Sequence, residues 1–198
     1  ALGVDQIGYN NEIVMLDNQS YINSTSLSMY LVQYNDSNGI NKIIYDEISG
    51  HNNKMKLGQG VAWDNPSSET DLYWNHDGSE GGGHEMNIIL YGDNNNMAGS
   101  QTNQGSTSGH SFDLHLSGDD NEVIFKQQSD GEKTIDLTIY NDNNEVFIRQ
   151  HGNGASHTAN IEIDGSYATD LDLKQLGTTT QTYNLMQYCI NPAGCMVS

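Results

Sequence analysis

Three short clusters carry the oxygen-rich side chains that hard cations favour: Asp93-Asn94-Asn95, Asp119-Asp120-Asn121 and Asp142-Asn143-Asn144. Aligned on one edge, their carboxylates would repel, and calcium accepts such ligands. Asp93, Asp119, Asp120 and Asp142 are therefore the candidate ligands, and calcium is the one cofactor the chain suggests. The same residues are also ordinary turn formers in water. They fit neither the EF-hand loop nor the Gly-Gly-x-Gly-x-Asp calcium repeat.

Other reactive residues are sparse. His84, His110 and His157 each precede a strand pattern by two residues. They could line one edge and respond to pH; the simpler expectation is exposed loop histidines. No His-x-x-x-His or His-Glu-x-x-His spacing supports a catalytic zinc. Gly-x-Ser-x-Gly and Gly-Lys-Ser/Thr are absent, so no nucleophile elbow or phosphate loop is expected. Trp63, Tyr73 and Trp74 offer either a sugar-stacking surface or packing for irregular turns. Cys189 and Cys195 are the only cysteines. They read as a small disulfide loop suited to an oxidising, extracellular setting, or as two free thiols. The expectation is a protein that is not an enzyme.

The elements that would position these residues show in the apolar pattern. Phe112, Leu114, Leu116, Gly118, Asn121, Val123, Phe125 and Gln127 recur, 23 residues on, as Ile135, Leu137, Ile139, Asn141, Asn144, Val146, Ile148 and Gln150. Each copy reads as strand, tight turn, strand. A unit this short cannot bury its own apolar face and must stack on others. Further copies follow from Ile48, Gly50, Asn53, Met55, Leu57 and Gln59, and from Leu90, Gly92, Asn95, Met97 and Gln101, where Gly99 replaces an apolar residue. Near the start, Gln6, Gly8, Asn11 and Ile13 fit the same scheme. After Gln150 come Ile161, Ile163, Leu171, Leu173 and Gln175, then Tyr183, Leu185 and Gln187.

Gly8, Gly50 and Gly92 lie 42 residues apart, suggesting two turns per unit in the first half. The alternating segments Tyr30-Val32-Tyr34 and Leu72-Trp74-His76 then read as degenerate repeats. Asn65-Pro66-Ser67-Ser68 reads as a turn. The expectation is one all-β domain over 1–198. It is a β-solenoid of about nine stacked strand-turn-strand repeats forming two facing parallel sheets. Residues 1–111 are irregular, 112–188 repeat about every 24 residues, and 189–198 form a cysteine segment. The expected core is Ile48, Leu90, Leu114, Leu116, Val123, Phe125, Leu137, Ile139, Val146, Ile148, Ile161, Ile163, Leu171 and Leu173. Gln6, Asn11, Asn53, Gln59, Asn95, Gln101, Asn121, Gln127, Asn144, Gln150 and Gln175 are the expected amide ladder.

Only 35% of the 198 residues are hydrophobic, yet they sit where the inner face of a strand needs them, which argues against disorder. The net charge of -19, from 26 acidic and 7 basic residues, disfavours nucleic acid and anionic lipid. No apolar run is long enough for a membrane-spanning helix. The chain opens Ala1-Leu2-Gly3-Val4, which suits a product of signal-peptide cleavage and equally any other chain boundary.

These spacings resemble the curlin repeat of bacterial curli fibres, in which Gln-x-Gly-x-x-Asn joins two strands and a second Gln follows six residues after the Asn. Gln6-x-Gly8-x-x-Asn11 matches, as do the pairs Asn53/Gln59, Asn95/Gln101, Asn121/Gln127 and Asn144/Gln150. The Gln before the turn is mostly replaced, by Ile48, Leu90, Leu116, Ile139 and Ile163. The resemblance implies a secreted subunit that polymerises with itself into an amyloid-like extracellular or cell-surface fibre, supporting a biofilm matrix, adhesion or aggregation. It further implies secretion or nucleation partners and contact with matrix polysaccharide, without nucleic-acid binding or membrane insertion. The alternative is a monomeric or capped solenoid adhesin that binds carbohydrate or calcium through its acidic turn edge.

Overall fold

A computed structural model describes residues 2–16, 21–35, 39–63, 72–73, 82–103, 108–152 and 154–197. Among these there is no helix. Alternating apolar residues extend the chain and turn every second side chain inward. Two nine-stranded parallel sheets face each other across one thin core. The first sheet runs, in spatial order, through Leu2–Gly8, Ser28–Asn35, Lys54–Gln59, Asn96–Gln101, Glu122–Gln128, Glu145–Ile148, Thr169–Leu173 and Cys195–Val197, with Gln150–His151 also pairing with Glu122–Gln128. The second runs through Asn11–Met15, Asn41–His51, Glu85–Tyr91, Ser111–Asp113, Lys133–Ile135, His157–Gly165 and Gln181–Cys189. Tyr21–Thr25 also pairs with Asn41–His51, and Leu116–Ser117 with Glu85–Tyr91. The chain thus alternates between sheets, one coil per strand-turn-strand unit, as a β-solenoid.

The turns explain the conserved spacing within the chain. Asn52, Asn94, Asp120 and Asn143 hold φ of 55°, 56°, 55° and 61°, the left-handed region that short polar side chains tolerate. Gly50 adopts φ 109°, and a Cβ there would fall 1.8 Å from the carbonyl oxygen of Gly92 on the next rung. All fourteen residues expected in the core are buried. At its centre Phe112 and Phe125 stack with ring centroids 3.9 Å apart.

Stacking register corrects the 42-residue period. Lys54–Gln59 and Asn96–Gln101 are adjacent strands, so Gln59 and Gln101 are one rung apart, not two. The extra length is an excursion. Within it Ala62–Trp63 pairs antiparallel with Leu72–Tyr73 as a separate ribbon, outside both parallel sheets. Leu72 is therefore not part of a degenerate repeat. Trp74, His76 and Asn65-Pro66-Ser67-Ser68 lie outside the described residues. Ser28–Asn35 is a genuine rung, but Met29, Leu31 and Gln33 occupy the inward columns rather than Tyr30, Val32 and Tyr34. The main paths contain eight and seven strands, fewer than nine repeats require.

Gly8 also departs from the expected series. It lies opposite Asn35, whereas Gly50 and Gly92 stack on each other at the other edge. The first coil spells the Gly-x-x-Asn motif on its way from the first sheet to the second, half a coil out of phase with the later copies. Both edges of the solenoid need a tight turn, so the motif alone does not say which edge it marks.

Candidate functional site

Three polar columns run along the inside of the solenoid. In the first, each glutamine amide donates to the next: Gln6 to Gln33 at 2.6 Å, Gln33 to Gln59 at 2.8 Å, Gln59 to Gln101 at 3.0 Å and Gln101 to Gln127 at 2.9 Å. Gln127 instead donates to the carbonyls of Ser111 and Lys133. Beyond it the polarity reverses, with Gln175 donating to Gln150. Gln33 was not singled out in the sequence. Its signal is there, 27 residues after Gln6 and 26 before Gln59, once the 42-residue reading is set aside.

The second column lies at the turn entering the first sheet. The Asn53 side-chain oxygen accepts the Asn95 backbone N–H at 2.8 Å, Asn95 accepts that of Asn121 at 3.0 Å, and Asn121 that of Asn144 at 2.8 Å. Asn144 accepts from Thr169 at 2.6 Å. These asparagines satisfy backbone donors that a turn would otherwise bury unpaired. Asn11 does not belong to this column; it pairs in register with Asn41 at the opposite edge.

That opposite edge holds the third column, Asn11, Asn41, His84, His110, Lys133, His157 and Gln181, each at the start of a second-sheet rung. Its histidines are buried, not exposed in loops. The reason is chemical: Nδ1 of an imidazole does the work of an asparagine oxygen. His84 Nδ1 accepts the His110 backbone N–H at 3.0 Å, and His110 Nδ1 accepts that of Lys133 at 3.3 Å. His110 Nε2 meets the Thr102 carbonyl at 2.8 Å. Both rings must be neutral to accept in this way. Burial holds His84 well below its ordinary pKa, with His110 adding to the effect. Burial, with a smaller push from Lys133, lowers His110 to about 3 against the backbone bond to Thr102. Lys133, fully buried, places Nζ between 2.6 and 3.0 Å from the carbonyls of Asp130, Gly131, Gly152 and Ala155. Burial lowers it to about 8, opposed by Asp130.

The acidic turns also stack, and one carboxylate oxygen of each of three aspartates accepts a backbone N–H from the neighbouring turn. Asp93 accepts the His51 N–H at 2.7 Å, Asp119 that of Asp93 at 2.6 Å, and Asp142 that of Asp119 at 2.8 Å. Asp120 supplies the left-handed turn residue. Among the described residues no three His, Cys, Asp or Glu side chains come together as a metal site.

The solenoid ends differ from its body. Among the described residues, Leu2–Gly8 pairs on one side only, as do Asn11–Met15 and Tyr21–Thr25. At the far end Gln181–Cys189 and Cys195–Val197 do likewise. Leu2 is 64% exposed and Val4 46%, although Met55 and Leu57 in the same columns are wholly buried. Tyr183 and Leu185, the inward residues of the last second-sheet rung, are partly open. Cys189 and Cys195 are bonded to each other and close the last turn, opposite Gly165 and Thr169.

Fold and columns together define a parallel two-sheet β-solenoid organised on internal amide and imidazole ladders. No protein-family model, curated protein or solved structure matches the chain.

Proposed function

We propose that this protein is a structural subunit that stacks end to end with copies of itself, forming a curli-like, amyloid-type fibre outside the cell. The observation that supports this reading is the contrast between the ends and the body. Strand edges paired on one side only stand at both ends of the described solenoid, with the inward Leu2 and Val4 exposed at the first and the inward Tyr183 and Leu185 half-buried at the last. A following copy would bury Leu2, Val4 and Ile13 against the last rungs, Tyr183 and Leu185 among them, continuing both sheets by strand addition. The subunit would then serve a biofilm matrix, adhesion or aggregation, in a role that involves no catalysis.

Electron microscopy and fibre diffraction test it. The expected result is filaments with a reflection near 4.8 Å, the spacing of stacked strands. Val4→Lys and Leu185→Lys, at opposite ends, should each abolish elongation while leaving the monomer folded. A wild-type protein that stays monomeric at high concentration would overturn the reading. It would favour the capped adhesin instead, for which the Cys189–Cys195 staple on the last turn is the supporting observation.

A further inference from the structure

Tyrosine recurs on the outer face of the second sheet at every second rung. Tyr91 pairs with Ser117. A Cβ on Gly118 would fall 2.4 Å from the Asn141 carbonyl oxygen, so Ser117 and Tyr140, the residues just before them, are neighbours too. The Thr138 N–H donates to the Ile161 carbonyl and the Ile163 N–H to the Thr138 carbonyl. Thr138 therefore lies opposite Glu162, and Tyr140 opposite Asp164, which pairs with Tyr188. The column reads Tyr91, Ser117, Tyr140, Asp164, Tyr188. Leu90, Ile139 and Cys189, next to the three tyrosines in the chain, are wholly buried, so the rings face outward. Tyr140 is 46% exposed and Tyr188 62%. Two rungs before Tyr91, Tyr21 continues the alternation one column to the side, its hydroxyl donating to Glu47 on the rung between.

Aromatic pairs that stabilise a sheet sit on neighbouring strands. These tyrosines are two rungs apart, roughly 9.6 Å, too far for one ring to pack on the next. Between the first two stands the His115 ring, edge-on to Tyr91 at 6.3 Å and to Tyr140 at 5.4 Å, which fixes their attitude on the face. Beside the column runs an open groove of about 460 Å³. Its walls include Asp136, Thr138, Asn160, Glu162 and Asn184, so hydroxyl, amide and carboxylate groups from three successive rungs line it. Asn160 donates to Asp136 within it. The face thus pairs a strip of evenly spaced rings with a polar channel parallel to it.

We propose that this face binds an extended, neutral, β-1,4-linked glycan laid along the solenoid axis, with Tyr91, Tyr140 and Tyr188 as its stacking platforms. Such a chain turns every second sugar over, so the same sugar face returns once per disaccharide, a length close to two rungs. The C–H face of a pyranose packs on a tyrosine ring, which joins an apolar body to a polar tip. The sugar hydroxyls then project sideways, toward the groove on one side and toward Ser117 and Asp164 between the rings. An anionic polysaccharide would meet Asp136, Glu162 and Asp164 on this face and a body of net charge -19. An extended peptide needs the unpaired backbone groups of a sheet edge, which the face of a sheet does not present. The site lies apart from the acidic turns and from the strand edges that stacking would use. It goes beyond the end-to-end reading, because a single molecule carries the whole strip.

Calorimetric titration with cellohexaose, with its N-acetylglucosamine counterpart and with the matching disaccharides tests it. One or both hexasaccharides should bind, about ten-fold or more tighter than the disaccharide, because only the longer chain spans two platforms. Tyr140→Ala and Tyr188→Ala should each weaken that binding about ten-fold, the loss of one aromatic anchor, and Tyr140→Trp should retain it. S117Y/Y140S keeps the number of rings but breaks their two-rung spacing, and should bind as weakly as Tyr140→Ala. Circular dichroism should be the same for all, since no core side chain changes. Failure of both hexasaccharides to bind, equal affinity for disaccharide and hexasaccharide, undiminished binding in S117Y/Y140S or in folded Tyr140→Ala and Tyr188→Ala, or equally tight binding of polygalacturonate would each overturn the glycan strip. None of these outcomes bears on filament formation, so the end-to-end reading stands or falls separately.

Discussion

Gly99 and Phe125 are register partners on adjacent strands, and a Cβ added at Gly99 would fall 1.5 Å from a carbon of the Phe125 ring. The missing apolar side chain at position 99 is thus filled by the ring from the next rung, which also stacks on Phe112. Gly99→Ala should cost about 2–3 kcal/mol through overpacking. Gly99→Ala combined with Phe125→Leu should recover much of that loss. Chemical denaturation of the three proteins checks the pair; equal losses in the single and double variants would show that the ring is not the obstacle.

Gln59 both donates to Gln101 and accepts from Gln33. Gln59→Leu keeps the volume but takes the Gln59 donor from the buried Gln101 oxygen and from the Lys42 carbonyl, while Gln33 Nε2 keeps the carbonyls of Glu12 and Asn41. Each orphaned group costs about 1–3 kcal/mol, so a loss of about 2–4 kcal/mol is expected. Gln6→Leu, at the open end, should cost far less, because water reaches Gln6. Urea midpoints measure the contrast.

Acid should act through the imidazole column. His110 has a folded pKa near 3 against an ordinary value of 6.5, so between these pH values the unfolded chain binds the extra proton. Stability from this group is therefore full above about pH 6.5 and falls as pH drops toward 3, by up to about 1.4 kcal/mol per pH unit. His84, shifted in the same direction, adds to the slope. His110→Asn supplies the same acceptor that Asn41 offers to His84. It should fold at neutral pH and show a shallower acid limb in denaturation curves taken from pH 7 to 4. An unchanged limb would exclude His110 as its source.

Reduction should loosen one end selectively. The Cys189–Cys195 bond closes a short loop on the last rung, where the solenoid has a neighbour on one side only. Breaking so small a loop costs about 2 kcal/mol. Amide exchange in Gln181–Cys189 should speed up in Cys195→Ser, while Glu122–Gln128 in the body stays protected. Uniform acceleration would mean that the solenoid unfolds as one unit.

On the proposed reading, end-to-end growth would bring together subunits of net charge -19. Screening shortens the range of that repulsion to about 8 Å at physiological ionic strength. Elongation followed by light scattering on seeded filaments should therefore accelerate with added sodium chloride. A rate flat across that range would remove electrostatics as the barrier to stacking.

Much of this architecture is written locally. Alternation in Phe112–Leu116 and Val123–Gln127 fixes which side chains turn inward, because a strand's period of two is a property of its backbone. Gly50, Asn52 and their counterparts mark turns because few residues tolerate a left-handed φ. From these alone follow the all-β solenoid, the buried core and the inward glutamines. What the sequence leaves open is which rungs become neighbours. The partner of Gly8 is Asn35 rather than Gly50, the partner of Gln59 is Gln101 across an excursion, and His84 and His110 are buried acceptors rather than loop residues. Each of these depends on register between strands some 23 to 42 residues apart, set by packing across the core and by backbone donors that need a partner from the next coil. No local pattern encodes that register, so the number of coils, the edge on which each turn falls and the role of the histidines were decided only by the tertiary structure.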